Sequence, residues 1–153
     1  LWFVEHCWPD ICAQIPDARL WIVGSHPVKA ILKLHSKTIR VTGAVPDIRP
    51  YFSQSALAIA PMRSGGGIKN KVLEAMAMTK PLVISSVASR GLDLPADPAL
   101  VIVDSPEETI AACVKLLMNP IPAINLRKWV ESHANWSKTT YPVRMALLNR
   151  ELS

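Results

Sequence analysis

Several sequence features are scarce or missing in this 153-residue chain, and each absence excludes a class of protein. No apolar run reaches the roughly 18–20 residues that a membrane-spanning helix needs. The opening "LWFVEHCWPDICAQIP" lacks a basic start and carries Glu5, His6 and Asp10, which argues against a signal peptide. Aromatic residues make up 6% and the basic residues are scattered, so we expect no RNA-recognition sheet, no nucleic-acid-binding arm and no nucleic-acid partner.

Cysteine and histidine are also sparse. Cys7, Cys12 and Cys113 form no C-x-x-C pair, so the sequence predicts buried thiols in a reducing, cytoplasmic compartment. The four histidines are too dispersed to indicate a metal site, and we expect no metal.

Half of the residues are hydrophobic, and the net charge is +5. The length corresponds to one domain with a full core. The net positive charge is compatible with an anionic ligand, an anionic membrane surface or nucleic acid, and it does not distinguish among them. The chain has no initiator Met and opens in mid-pattern, so we expect a piece of a longer protein.

Short, nearly continuous apolar runs alternate with helical patterns along the chain. Runs of this kind are typical of strands buried on both faces of a parallel sheet. The sequence therefore predicts an α/β fold, a Rossmann-like doubly wound parallel sheet of about five strands. The expected strands are 18–25, 38–45, 56–62, 81–86 and 99–104. The expected helices are 2–14, 28–35, 47–55, one containing "KNKVLEAMAM", 106–118, 122–133 and 138–151, and Pro9 should bend or end the first of them. Ser105, Pro106 and Glu108 form a capping-box start for the helix at 106–118.

The stretch "MRSGGGIKNKVLEAMAM", residues 62–78, follows the third predicted strand and leads into a helix. Ligands of doubly wound sheets bind beyond the carboxyl ends of the strands, where glycines allow close approach and a helix N-terminus favours an anion. Arg63, Lys69 and Lys71 add positive charge, so we expect a phosphate or diphosphate. The pattern is neither a P-loop nor G-x-G-x-x-G. A tight strand-to-helix turn is the alternative use of the glycines.

Glu74 lies about one turn into that helix. Helical side chains lean toward the N-terminus, so its carboxylate could reach the same rim as the anion. A carboxylate accepts two hydrogen bonds from vicinal hydroxyls and therefore suits a ribose. The alternative is an acid that interacts favourably with the helix dipole.

"KNKVLEAMAMTKPLVIS" resembles the donor-site helix and following strand of GT-B glycosyltransferases of the retaining family 4 group. "FVEHCWPDICAQIPDARLWIVGSHP" and "IRVTGAVPDIRPYFSQSALAIAPMRSG" are similar to two further segments of that family. The resemblance covers nearly the whole chain. It implies that residues 1–153 are a C-terminal donor-binding domain fragment, with a terminal helix at 137–151 that packs on the N-terminal domain or a partner chain.

The resemblance also implies roles for individual residues. Glu74 matches the glutamate that holds the nucleotide ribose, whereas Gly66 stands where the family has a second glutamate that contacts the donor sugar. The turn whose backbone contacts the base corresponds to Gly43, Ala44 and Val45. The expected contacts to phosphate or donor sugar are Arg63, Ser64, Gly65, Gly66, Gly67, Ile68, Lys69 and Lys71. A UDP- or GDP-sugar would be the substrate, with no cofactor.

Two parts of the family pattern are absent from the sequence. The acceptor-binding domain is missing, and so is the first strand, which would lie centrally between the strands at 19–24 and 56–61. An unpaired interior edge is costly. We therefore expect a disturbed sheet or a homodimer that exchanges elements.

The leading hypothesis is the donor-binding half of a glycosyltransferase of polysaccharide biosynthesis, inactive as a fragment. The full enzyme would move a sugar from a nucleotide diphosphate to an acceptor sugar or lipid-linked glycan, in the cytoplasm or at the inner face of the membrane. Two alternatives remain: a degenerate nucleotide-binding or protein-interaction domain, favoured by Gly66, and a sugar-nucleotide epimerase, for which the strand ends offer only His26. The five tryptophans serve either core packing or peripheral membrane contact.

Overall fold

A computed structural model describes residues 1–65 and 69–133. Strands and helices alternate in the predicted order, which confirms the α/β class. The strands are shorter than the apolar runs that predicted them. The elements are α1 (Trp2–His6), α2 (Trp8–Gln14), β1 (Leu20–Val23), α3 (Lys29–Leu32), β2 (Ile39–Gly43), α4 (Arg49–Gln54), β3 (Ala58–Ala60), α5 (Asn70–Ala77), β4 (Leu82–Ile84), α6 (Ser86–Ser89), β5 (Leu100–Ile102), α7 (Pro106–Met118) and α8 (Ile124–His133).

The strands form two separate parallel sheets instead of one continuous sheet. One has the order β1–β2 and the other the order β3–β4–β5. Within the described ranges, no backbone hydrogen bond joins β1 to β3. The split lies where the sequence predicts a missing strand, so the expected disturbed sheet is present and the expectation of one five-stranded sheet needs this correction. The two parts are called the β1–β2 and β3–β5 half-sheets below.

Two hydrophobic clusters cover the faces of the sheets. On one face, α5 packs Val72 and Met76 against Leu82 and Ile84 of β4, with Leu126 of α8 also buried there. The other cluster joins α1, α2 and α7 to both half-sheets. Its buried members are Phe3, Cys7, Trp8, Ile11, Ile39, Val83, Ala112, Cys113 and Leu116. This second cluster contains buried residues of both half-sheets, Ile39 of β2 and Val83 of β4, and each fully buried large side chain contributes about 1.5–3 kcal/mol relative to an exposed position.

The helix expected at 2–14 consists of two helices, and the expected interruption by Pro9 is present. Cys7 breaks the regular geometry with φ −124°, and α2 starts at the next residue. Pro9 explains the break: in a continuous helix its ring would clash with the carbonyl of Glu5, whereas in the first turn of α2 its missing N–H costs nothing.

The predicted capping box of α7 is confirmed. Ser105 Oγ accepts a hydrogen bond from the Glu108 N–H at 3.2 Å, and Glu108 Oε2 accepts from the Ser105 N–H at 3.5 Å. The four-residue α6 was not predicted, because its first residue, Ser86, falls inside the run expected as the strand at 81–86. The terminal helix expected at 137–151 lies outside the described residues. Of the helices within them, none has the length and apolar character needed to cross a membrane.

Candidate functional site

The loops after β3, β4 and β5 meet at the carboxyl edge of the β3–β5 half-sheet and are tied together by hydrogen bonds. Ser85 Oγ donates to the Met62 carbonyl at 2.6 Å. Arg63 Nη1 donates to the Asp104 carbonyl at 2.9 Å, and the Asp104 carboxylate accepts from the Ser86 N–H at 3.0 Å. We call these five residues the carboxyl-edge brace. They fix the chain where it enters the glycine-rich turn.

Hydrogen bonding from Ser86 lowers the pKa of the Asp104 carboxyl, and the nearby charge of Arg63 lowers it further. Because the folded-state pKa lies below the ordinary 3.8, this contribution to stability is present above that pH. The contribution to stability is lost as the pH falls through the lowered pKa of Asp104. The brace is therefore intact at neutral pH.

Arg63, a predicted phosphate contact, is directed toward α1 and the loop after β5. Its guanidinium carbon lies 4.7 Å from the centroid of the Trp2 ring, which is a cation–π geometry. The bond to the Asp104 carbonyl occupies another of its donors. Arg63 thus links the start of the chain to the carboxyl edge.

The turn itself is described at both of its ends. Gly65 has φ +125°, a left-handed conformation, and an added Cβ would lie 3.0 Å from Met62 Cε. The positive φ favours glycine at this position, whereas the Met62 methyl group is the end of a flexible side chain and could move away from a Cβ. Ser64 and Gly65 are exposed. The predicted contacts Gly66, Gly67 and Ile68 lie outside the described residues.

Lys69 closes the turn from the other end. Its side chain is only 3% exposed, and its Nζ donates to the Gly65 carbonyl at 3.1 Å. Lys69 is also the N-cap of α5, and no side chain caps the first turn of that helix. The exposed N–H groups of a helix start carry partial positive charge, so the buried amine and the helix start both attract an anion.

The positive charge of Lys69 has no carboxylate partner within the described residues, where the ion pairs are Arg49–Asp47 and Arg127–Glu131. Residues 66–68 are Gly-Gly-Ile and supply no acidic side chain. Burying an ammonium group beside a single neutral acceptor is costly unless an anion compensates it. The arrangement is therefore chemically suited to an anionic ligand.

Glu74 and Lys71 are exposed on α5. Glu74 lies in the second turn of the helix, and no ion pair joins it to another described residue. Its carboxylate is therefore accessible from solvent in the middle of α5, five residues after Lys69. That position is compatible with accepting hydrogen bonds from a diol.

The turn predicted to contact the base lies at the end of β2, in the β1–β2 half-sheet. Gly43 has φ +74°, and its carbonyl accepts from the Gly24 N–H at 3.3 Å. Ala44 is exposed, and Val45 lines a groove of about 440 Å³ together with Trp21 and Tyr51, whose rings meet edge-on at 5.5 Å. No hydrogen bond joins residues 43–45 to the described residues 62–65 or 69–74. The predicted site is thus divided between the two half-sheets.

Sequence reasoning missed Trp2, Ser85 and Asp104. Ser85 and Asp104 lie at the carboxyl ends of the predicted strands 81–86 and 99–104, and the carboxyl ends of parallel strands share one edge. That rule could have placed both beside Arg63. Nothing in the sequence pattern indicates the Trp2 contact. Among residues 1–65 and 69–133 there is no group of three His, Cys, Asp or Glu side chains that could hold a metal ion.

Known proteins are similar to this chain in family and in fold. No match was found among curated protein sequences. Sucrose-phosphate synthase from Thermosynechococcus elongatus has a similar fold, with a TM-score of 0.70 and 21% identity over 93% of this chain. The chain spans 40% of the length of that synthase, and a likeness at this identity shows the fold alone, here a Rossmann-like half of a GT-B architecture. The family model for "Glycosyl transferases group 1" matches residues 1–119. The chain therefore belongs to the glycosyl transferases group 1 family.

Proposed function

We propose that this chain is the donor-binding half of a glycosyltransferase and that it binds a nucleotide diphosphate sugar at the carboxyl edge of the β3–β5 half-sheet. The observation that carries the proposal is Lys69. Its amine is buried at the start of α5 without a carboxylate partner in the described chain. Family membership supplies the reaction class.

The diphosphate would lie against the turn between Gly65 and Lys69. Three contributions favour an anion there: the Lys69 amine, the uncapped first turn of α5, and the backbone freedom of glycine. Lys71 is exposed two residues after Lys69 and would add longer-range attraction. Donor binding should therefore depend on the phosphates more than on the base.

The nucleoside would extend from the diphosphate toward Glu74 and the second half-sheet. Glu74 would accept hydrogen bonds from the ribose hydroxyls. The backbone of Gly43, Ala44 and Val45 would contact the base. This assignment requires one ligand to span both half-sheets, so binding should also draw the two parts of the site together.

In the reaction, charge develops on the leaving diphosphate as the bond to the sugar breaks. A fixed positive group next to that charge lowers the barrier, since it needs no reorganisation at the moment of reaction. We assign that part to Lys69. The acceptor, a sugar or a lipid-linked glycan, would be held by a separate domain, and transfer would take place in the cytoplasm or at the inner face of the membrane. The described chain by itself would bind donor without turnover.

The test is calorimetric titration of the intact protein with UDP and GDP, in parallel with Lys69→Met. Lys115→Met is the matched control, because it removes an exposed lysine from α7. We expect saturable binding that prefers one base and weakens at least tenfold in Lys69→Met only. If the intact protein binds neither nucleotide, the donor-site proposal is wrong and a degenerate or protein-interaction domain becomes the better account.

A further inference from the structure

We propose that the surface around α3 is a contact for an anionic lipid membrane. This contact is separate from the donor site and does not depend on nucleotide binding. Two features of residues 18–46 support it. The segment holds the net positive charge of the chain, and its helix exposes apolar side chains beside lysines.

Residues 18–46 contain basic side chains and no acidic one. All of the basic residues are exposed; they are Arg19, Lys29, Lys33, Lys37 and Arg40. Of the 17 basic residues of the chain, the other twelve equal its 12 acidic residues in number, so this segment accounts for the whole net charge of +5. In the part of the chain that the structure describes, the ion pairs are Arg49–Asp47 and Arg127–Glu131. The positive charge of the segment is therefore not neutralised by a described carboxylate.

α3 exposes two apolar side chains beside its lysines. Val28 is 64% exposed and Leu32 is 50% exposed. The Leu32 N–H donates to the Val28 carbonyl at 3.1 Å, and the Lys33 N–H donates to the Lys29 carbonyl at 3.2 Å. Residues four apart lie on the same side of a helical turn, so an apolar row and a basic row lie next to each other. The inner side of the turn carries Leu34, which packs against the second hydrophobic cluster.

A membrane surface matches this combination better than a soluble polyanion does. Anionic headgroups attract exposed lysines. Lysine stems cover apolar surface while the ammonium group stays among the headgroups. Val28 and Leu32 can then leave water for the boundary between headgroups and acyl chains. A nucleic acid or a phosphorylated peptide would engage the lysines and leave both apolar side chains in water.

The experiment measures co-sedimentation of the intact protein with lipid vesicles. One set is phosphatidylcholine alone, and the other contains about one-third phosphatidylglycerol. We expect binding to the anionic vesicles only. Raising the salt from about 0.1 M to about 1 M should weaken binding at least tenfold, because the Debye length falls from about 10 Å to about 3 Å.

A pair of double variants separates the α3 surface from overall charge. Lys29→Gln/Lys33→Gln removes two charges from the proposed contact. Lys115→Gln/Lys128→Gln is the matched control, because it removes two charges from exposed positions on α7 and α8. We expect the first variant to bind anionic vesicles about tenfold more weakly and the control to stay within about twofold of wild type.

The apolar part of the contact is tested with Leu32→Asn. Ile124→Asn is its control, since Ile124 is 55% exposed at the start of α8. Leu32→Asn should weaken vesicle binding about fivefold, because its side chain no longer gains from leaving water. Ile124→Asn should match wild type. All of the substituted side chains are exposed, so the variants should fold as wild type does.

Absence of wild-type binding to the anionic vesicles would overturn the proposal without recourse to any variant. Equal losses in the two double variants would show that only net charge matters, which overturns it as well. A loss in Lys29→Gln/Lys33→Gln with unchanged binding in Leu32→Asn would indicate a site for a soluble polyanion instead of a membrane. Failure of the nucleotide titration would leave the membrane contact standing, and failure of vesicle binding would leave the donor site standing.

Discussion

Lys69 and Glu74 lie five positions apart on the same short helix in opposite environments. The lysine is buried at the helix start, whereas the glutamate is exposed. No ion pair joins them within the described chain. Because the two charges do not neutralise each other, the proposed site can assign the lysine to an anion and the glutamate to hydroxyl groups.

The role of Glu74 can be tested with nucleotides that lack a ribose hydroxyl. Wild type should prefer UDP or GDP over the 2′-deoxy analogue by about tenfold, because a hydrogen bond to a charged acceptor contributes about 1.5–3 kcal/mol. Glu74→Ala should abolish this preference, and Glu131→Ala, which removes an exposed glutamate from α8, should keep it. Calorimetry gives both affinities. A preference that persists in Glu74→Ala would place the ribose elsewhere.

Two methionines offer a matched test of the cluster under α5. Met76 is fully buried there, whereas Met118 at the end of α7 is 68% exposed. Met76→Ala should lower the free energy of unfolding by about 2–5 kcal/mol, since it leaves a cavity. Met118→Ala should change it by less than about 0.5 kcal/mol. Urea denaturation measures both values, and similar losses in the two variants would contradict the described core.

The capping box of α7 should contribute measurably to stability. Ser105→Ala removes the acceptor for the Glu108 N–H and should cost about 1 kcal/mol. Ser53→Ala is the control, because Ser53 Oγ donates to the Pro50 carbonyl on an exposed helix without capping it. Thermal unfolding followed by circular dichroism compares the two. A Ser105→Ala protein as stable as the control would show that α7 is fixed by its packing alone.

The thiols should differ in reactivity and in their response to alkali. Burial raises the pKa of Cys7 to about 11 and that of Cys113 to about 12, while Cys12 is half-buried. At pH 8 a maleimide should label Cys12 first in the folded protein. The unfolded thiols ionise near pH 9.0 while the folded ones stay protonated. Stability should therefore be complete below about pH 9 and fall as the pH rises toward 11–12. Rapid labelling of all three thiols at pH 8 would contradict the burial.

The split between the half-sheets predicts a pattern of amide exchange. Leu20 donates its N–H to Thr38 beside β2, and Ala58 donates to Pro81 beside β4. Successive N–H groups of a parallel strand point to opposite sides, so those of Trp21 and Ile59 face the gap. We expect the amides of Trp21 and Ile59 to exchange at least tenfold faster than those of Leu20 and Ala58, measured by NMR. Equal protection would mean that another strand occupies the gap.

The local features of the fold were predictable from the sequence because they depend on neighbouring residues. The start of α7 is determined by its own first residues, Ser105, Pro106 and Glu108. The apolar runs likewise indicate where the strands lie along the chain. The position of the break at Cys7 was harder to predict. Pro9 indicates that the helix is interrupted, but it does not determine whether the second helix begins before or after it. α6 escaped prediction because its start overlaps the end of the run that predicts β4.

The candidate site was predictable only in part, for a physical reason. Lys69 could be chosen as an anion contact from its charge and position, but its burial depends on the fold of the turn around it. The orientation of Arg63 follows from Trp2 and Asp104, which lie far from it in sequence. Contacts of this kind arise from long-range packing, and neither charge nor spacing in one segment reveals them.

The gap between β1 and β3 has a consequence for temperature. Hydrogen-bonded ladders hold each half-sheet together, whereas the cluster around Ile11 and Leu116 joins the two through apolar contact. Apolar attraction weakens on cooling. The junction between the halves should therefore loosen in the cold before either half does, and cold storage should favour exposure of the strand edges and self-association of the chain.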